Sequence, residues 1–142
     1  MKVLMTGCTG HAGAHALNHF VNNGHEVHAL VRPHHIPNLE ERDKVKWVAG
    51  GFADTEIISE TAAECDAVVH IGASHDEEME KLDTNFILAV EEAFKDTGKV
   101  FVTTSASVLF TMILKVFLVM RANQLKIHIL FEHGAHAMIY KL

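Results

Sequence analysis

The strongest constraint on this chain lies in its first two dozen residues. Lys2 to Thr6 is a short apolar run cut off by Gly7, and Thr6-Gly7-Cys8-Thr9-Gly10-His11-Ala12-Gly13 follows with a glycine at every third position. Beyond it, Ala12, Ala16, Leu17, Phe20 and Val21 recur at helical spacing, and Asn22-Asn23-Gly24 supplies a helix stop. Val27 to Val31 is a second apolar run, closed by Arg32-Pro33. A strand, a glycine turn, a helix and a second strand within about 30 residues form a helical crossover unit, which implies parallel pairing of the two strands.

The alternation continues. Pro33 to Asp43 reads as a loop that can hold one helical turn, and Val45 to Ala49 as a third strand ended by Gly50-Gly51. Asp54 is placed to cap a helix over Glu56 to Glu64, with Ile57, Ile58 and Ala62 inward. Ala67 to Ile71 is a fourth strand. Glu78 to Lys95 is a longer amphipathic helix with Leu82, Phe86, Ala89, Val90 and Ala93 on one stripe, and Val100 to Thr104 is a fifth strand. The expected fold is α/β, a doubly wound parallel sheet of the Rossmann type, truncated after strand five. Residues 1–110 form the expected domain, and 111–142 a tail of different character.

The chemistry of the glycine turn is specific. Gly7 permits the tight turn, Gly10 leaves no side chain between backbone and ligand, and Gly13 lets the helix pack close to the strand. The helix then offers unpaired N–H groups and the positive end of its dipole to an anion such as a pyrophosphate. A net charge of -6 and the lack of any Lys/Arg-rich run argue against a nucleic-acid partner, but local backbone donors still suit a dinucleotide.

These residues resemble the short-chain dehydrogenase/reductase superfamily, in its extended or atypical branch, the NAD-dependent epimerase/dehydratase group. The Thr-Gly-x-x-Gly-x-x-Gly turn carries the resemblance first. Gly24-His25-Glu26-Val27, Asp66 to Ala73, Asn85 and Val102-Thr103-Thr104-Ser105-Ala106-Ser107 follow in order, so that it covers residues 1 to about 110. It implies a cofactor site at Gly7, Thr9, Gly10, His11 and Gly13, with Phe52, Gly72 and Ala73 bordering it. It also implies a catalytic role for Ser105, with Thr104 and Ser107 as neighbouring alternatives. Where the group usually has Gly-Asp-Leu against the adenine, this chain has Gly50-Gly51-Phe52, and the carboxylate is gone.

Strand two ends in Leu30-Val31-Arg32 rather than in the acidic residue that would hold a ribose 2′-hydroxyl. Arg32 suits a 2′-phosphate, so NADP(H) is the expected cofactor ahead of NAD(H). His34-His35 next to it can add positive charge, or belong to a solvated loop.

The group's members also use a Tyr-x-x-x-Lys pair, in which lysine eases proton transfer by tyrosine. Tyr140 is the one tyrosine, and Lys141 directly follows it, a spacing that does not share a helical face. The pair is missing. The chain therefore reads as an oxidoreductase or nucleotide-sugar epimerase relative, incomplete as an enzyme, or alternatively as a non-catalytic NADP(H)-binding sensor or remnant.

From Thr111 the sequence changes, with no Asp, one Glu and apolar residues without a stable period. A single-base change of reading frame near Ser107 to Met112 is one account of it, a divergent C-terminus the other. Val100 to Met120 is apolar, yet it holds a core strand, Lys115 and several hydroxyls, so no membrane partner is expected. A sheet missing later strands exposes an apolar edge, and self-association through that edge is expected.

Two cysteines without metal or redox spacing, and no secretory leader, point to a reducing, cytoplasmic setting. His11, His15 and His19 share a helix face but have no acidic or cysteine partner at ligand spacing, so no metal is expected. Cys8 beside a helix N-terminus reads as inert filler.

Overall fold

A computed structural model describes the backbone of residues 1–38, 41–72, 78–109, 112–121, 124–131 and 138–141, and their side chains as far as Thr104 except at residues 37, 38 and 79. The apolar runs form parallel strands β1 (Lys2–Thr6), β2 (Glu26–Val31), β3 (Val45–Ala49), β4 (Ala67–His70) and β5 (Val100–Leu109). Three α-helices connect them: α1 (His11–Asn22), α2 (Thr55–Ala63) and α3 (Met79–Phe94). Pro33–Asn38, in the stretch after β2 read as a loop with room for one helical turn, is a 3-10 helix of six residues, about two turns.

The sheet order is β3-β2-β1-β4-β5, with every neighbouring pair in this part parallel. The order runs outward from β1 in both directions, so the chain reverses its winding between β1 and β4. That makes the carboxyl ends of these two strands the place where the loops part and a crevice opens. This is the Rossmann-type α/β fold that the alternation predicts.

Consecutive residues of β1 point to opposite faces and found two cores. Leu4 packs with Ile58, Ala62, Phe86, Val90 and Phe101 under α2 and α3. Met5 packs with Leu17, Val27, Ala29 and Val31 under α1. Phe86 is wholly buried, and its ring contributes about 2–3 kcal/mol by leaving water.

Three local expectations are corrected. Ile57 is 36% exposed, because it lies one helical step round from the inward Ile58 and Ala62. Asp54 stands at the N-cap of α2 but makes no side-chain cap bond there; its Oδ2 accepts instead from the Gly51 N–H at 2.7 Å, which fixes the turn after β3. Lastly, β5 does not stop at Thr104. It runs to Leu109 and pairs antiparallel with β6 (Met112–Arg121), which continues into β7 (Gln124–Phe131) and β8 (Met138–Lys141). Residues beyond 111 thus extend the sheet as an antiparallel meander. A continuous apolar run such as Met112 to Met120 has no period of its own, and pairing with β5 is what gives it a strand conformation.

Candidate cofactor site

The site begins with the hydroxyl of Thr6, the last residue of β1. Its oxygen accepts from the N–H groups of Ile71 at 3.2 Å and Gly72 at 3.0 Å. Its one proton then goes to Nδ1 of His70, 2.8 Å away. That assignment leaves His70 neutral with its proton on Nε2. Burial agrees, because His70 is enclosed and its pKa is pulled down to about 4 by desolvation. The ring stacks on Phe86 at 4.3 Å between centroids and meets Phe52 edge-on at 5.1 Å. Thr6 therefore ties the ends of β1 and β4 together, and His70 carries the constraint to Phe52. The sequence motif contains Thr6, but its role is invisible until β4 lies alongside.

The glycine turn is built on the same tie. Gly7 has a φ of +73°, and a Cβ there would stand 2.6 Å from the Gly72 nitrogen. A Cβ on Gly13 would stand 1.9 Å from the Gly7 carbonyl oxygen, so α1 seats directly on the turn. Gly10 N–H donates to the Gly7 carbonyl at 2.9 Å, and Ala14 N–H makes the first helical bond, to Gly10, at 2.8 Å. The N–H groups of His11, Ala12 and Gly13 precede that bond and are the orphan donors of a helix start. Gly10 provides no side-chain cap, and the first turn of α1 carries no acidic residue. Nothing anionic on this turn competes with a bound phosphate for those donors.

A cleft of about 570 Å³ opens over this turn. Gly7, Thr9, Gly10, His11 and Gly13 form one wall. Arg32, Phe52 and Gly72 line it from the ends of β2, β3 and β4. Ala73 lies outside the described residues. The structure thus brings one sequence-predicted set, drawn from four segments, to a single crevice at the winding switch. Sequence reasoning gave no cofactor role to Leu30, Ala53, Ile71 and Leu82, which also line it, because apolar residues at strand and helix ends look like core.

His35 lines the cleft, whereas His34 does not, so the loop histidines separate into one wall residue and one exposed neighbour. No Asp or Glu is among the described lining residues. With Arg32, His11 and His35 there, and free N–H groups at the turn, the cleft fits an extended, doubly anionic ligand.

Ser105 lies on β5, two residues beyond the His70–Thr103 register pair and so at the same end of the sheet. Thr104 is engaged elsewhere, its hydroxyl donating to the His70 carbonyl at 3.4 Å. Tyr140 stands well to the side of Ser105: register steps it from Ile127 to Leu118 to Thr103, three strands away, or roughly 14 Å. Cys8 is buried, its thiol donates to the Met5 carbonyl at 3.7 Å, and burial pushes its pKa up to about 12, so it is not a reactive thiolate.

A family model described as NAD(P)H-binding matches residues 7–136. The chain belongs to this NAD(P)H-binding family. An uncharacterised protein of Saccharomyces cerevisiae is 31% identical over 115 residues, 75% of this chain and 38% of that protein. CDP-abequose synthase of Salmonella muenchen is 31% identical over 74 residues, 52% of this chain and 24% of that protein. Among solved structures, UDP-glucose 4-epimerase of Thermotoga maritima superposes with a TM-score of 0.62 at 19% identity, over 75% of this chain and 38% of that one. The chain spans 38% or less of the length of each of these relatives. It carries an NAD(P)-binding domain related to epimerases, dehydratases and reductases. Among its described residues no helix is long and apolar enough to cross a membrane.

Proposed function

We propose that this NAD(P)H-binding chain is the cofactor half of an NADP(H)-dependent oxidoreductase or nucleotide-sugar epimerase of the cytoplasm. The observation that carries the NADP(H) preference is the cleft wall at the end of β2, which presents Arg32 and no carboxylate. An acid there would hold a ribose 2′-hydroxyl and repel a 2′-phosphate; a guanidinium does the reverse. The turn at Gly7, Gly10 and Gly13 would hold the pyrophosphate on the N–H groups of α1. Phe52 and Gly72 would border the nucleoside. The dinucleotide, when bound, supplies or accepts a hydride at a substrate carbon. Ser105, on β5 at the same end of the sheet, would hydrogen-bond the oxygen on that carbon.

A second reading is favoured by one observation. Tyr140, the chain's one tyrosine, lies three strands from β5 and cannot act beside Ser105. On that reading the chain, as it stands, is a dinucleotide-binding module that does not turn over, a sensor or remnant. The sugar-nucleotide side of the first reading draws on the similarity to CDP-abequose synthase. The test is titration of NADPH fluorescence with the purified chain, followed by NADPH oxidation across a panel of carbonyl compounds. Saturable binding with turnover supports the enzyme reading. Binding without turnover supports the module, and no binding of either dinucleotide overturns both.

A further inference from the structure

Two histidines follow Arg32, and the fold treats them differently. His34 is exposed and off the cleft, while His35 is half-buried and on its wall with Arg32. The His35 N–H donates to the Arg32 carbonyl at 2.9 Å, a turn that keeps the two residues at the same end of the cleft. The rings of His34 and His35 meet edge-on at 4.3 Å between centroids.

The charges around His35 are of one sign. Arg32 and His34 act on it directly. Strand β3 meets the 3-10 helix with the uncharged Val45 and Trp47, which pack in one core with Ile36, and the glycine turn brings His11 to the same cleft. No carboxylate is among the described lining residues. Partial burial, then the fields of His34 and Arg32, hold the His35 imidazole below its ordinary range, so without a ligand it is neutral at pH 7. A ring poised this way gains a proton when a dianion arrives beside it.

We propose that His35 is the proton-linked half of the cofactor-specificity site: it takes one proton from solvent when a dinucleotide bearing a 2′-phosphate binds, and none when the 2′-position is a hydroxyl. The inference rests on the NADP(H) reading and adds to it a second residue and a pH dependence. Arg32 is a permanent cation and favours the phosphate at every pH, whereas His35 adds its charge only as pH falls. Discrimination for NADPH over NADH therefore rises as pH drops from 8 towards 6.5. No covalent bond changes; the proton comes from buffer and sits between the imidazole and the phosphate.

The test is calorimetric titration of the full chain with NADPH, and separately with NADH, at pH 7 in two buffers of different ionisation enthalpy. The expected result is net uptake of roughly 0.3–0.7 proton per NADPH and close to none per NADH. The phosphate cannot produce this sign. Its second pKa is near ~6, so on meeting cations at pH 7 it releases about a tenth of a proton. His35→Asn is expected to abolish the uptake and His34→Asn to retain most of it. In parallel, the ratio of NADH to NADPH Kd should grow about 3- to 10-fold between pH 8 and 6.5 in the parent chain, and stay flat in His35→Asn.

Preference for NADPH without uptake, or uptake that survives His35→Asn, overturns the role of His35 and leaves the NADP(H) reading standing. Preference for NADH overturns both. Where His35→Asn does not fold, absence of uptake by the unaltered chain, or its loss in His34→Asn, still overturns the proposal.

Discussion

The two ends of the cofactor cleft are built by different means. At the glycine turn the binding groups are backbone N–H donors, held by close contacts between main chains: Gly13 on Gly7, and Gly7 on Gly72. At the far end the cleft is lined by the side chains of Arg32, just after β2, and of His35, on the 3-10 helix that follows. A pyrophosphate is common to every dinucleotide, so its site has nothing to discriminate and gains from rigidity. The 2′-substituent differs between cofactors, and side-chain charge is the means of telling them apart. On the proposed reading, affinity would be a matter of backbone shape and specificity a matter of charge, so that the two could be altered separately.

The largest expected effect breaks the first end. Gly13→Val drives carbon into the Gly7 carbonyl, where a Cβ already stands at 1.9 Å. The destabilisation should exceed the ~3 kcal/mol upper end of ordinary overpacking, with binding of both dinucleotides lost, as read by denaturant melts and NADPH fluorescence. A soluble variant that still binds NADPH would show the turn to be more pliable than its contacts imply.

Acid should act next, through the tie beneath the turn. His70 is held at a pKa of about 4 when folded, against an ordinary value of 6.5, so the unfolded chain binds the proton more readily. Its contribution is complete above about pH 6.5 and is lost progressively as pH falls towards 4, by roughly 3 kcal/mol at most. Melting temperatures between pH 7 and 4.5 should fall accordingly, and less steeply in His70→Gln. Thr6→Val strands the Ile71 and Gly72 N–H groups and should lower stability by about 1–3 kcal/mol at pH 7.

Arg32→Ala sharpens the comparison from the other end. NADPH affinity should fall about 10- to 100-fold while NADH affinity and stability stay near their starting values, as measured by titration of each. An equal loss for both cofactors would place Arg32 on the shared part of the dinucleotide. The smallest effect expected is none at all: Cys8 in the folded chain should resist iodoacetamide at pH 8, since its thiol is buried and pushed up to about 12. Rapid labelling would mean that the turn opens.

Much of this was legible beforehand, for local reasons. The run Val45 to Ala49 is apolar and ends at a glycine pair, and it is a strand over just those residues. The turn from Gly7 to Gly13 encodes its own geometry, because each glycine answers a steric demand set by residues close by. Element edges were less legible. α1 begins at His11 rather than Ala12, since Gly10 can take the extended N-cap conformation and admit one more residue. Asp54 looked like a helix cap because its type and position fit one, yet Gly51 N–H lies nearer to its carboxylate.

The sequence by itself determined the strand–helix alternation, the parallel sheet it entails and the glycine turn. All of these depend on periodicity and on conformational demands within a few residues. Only the tertiary structure decided what depends on distant segments meeting. Thr6 finds its partners at residues 70 to 72, His35 rather than His34 reaches the cleft, and Met112 to Arg121 becomes a strand by pairing with β5. Such contacts pair positions tens of residues apart and leave no pattern along the chain. They exist once the sheet order brings the carboxyl ends of β1, β2 and β4 together.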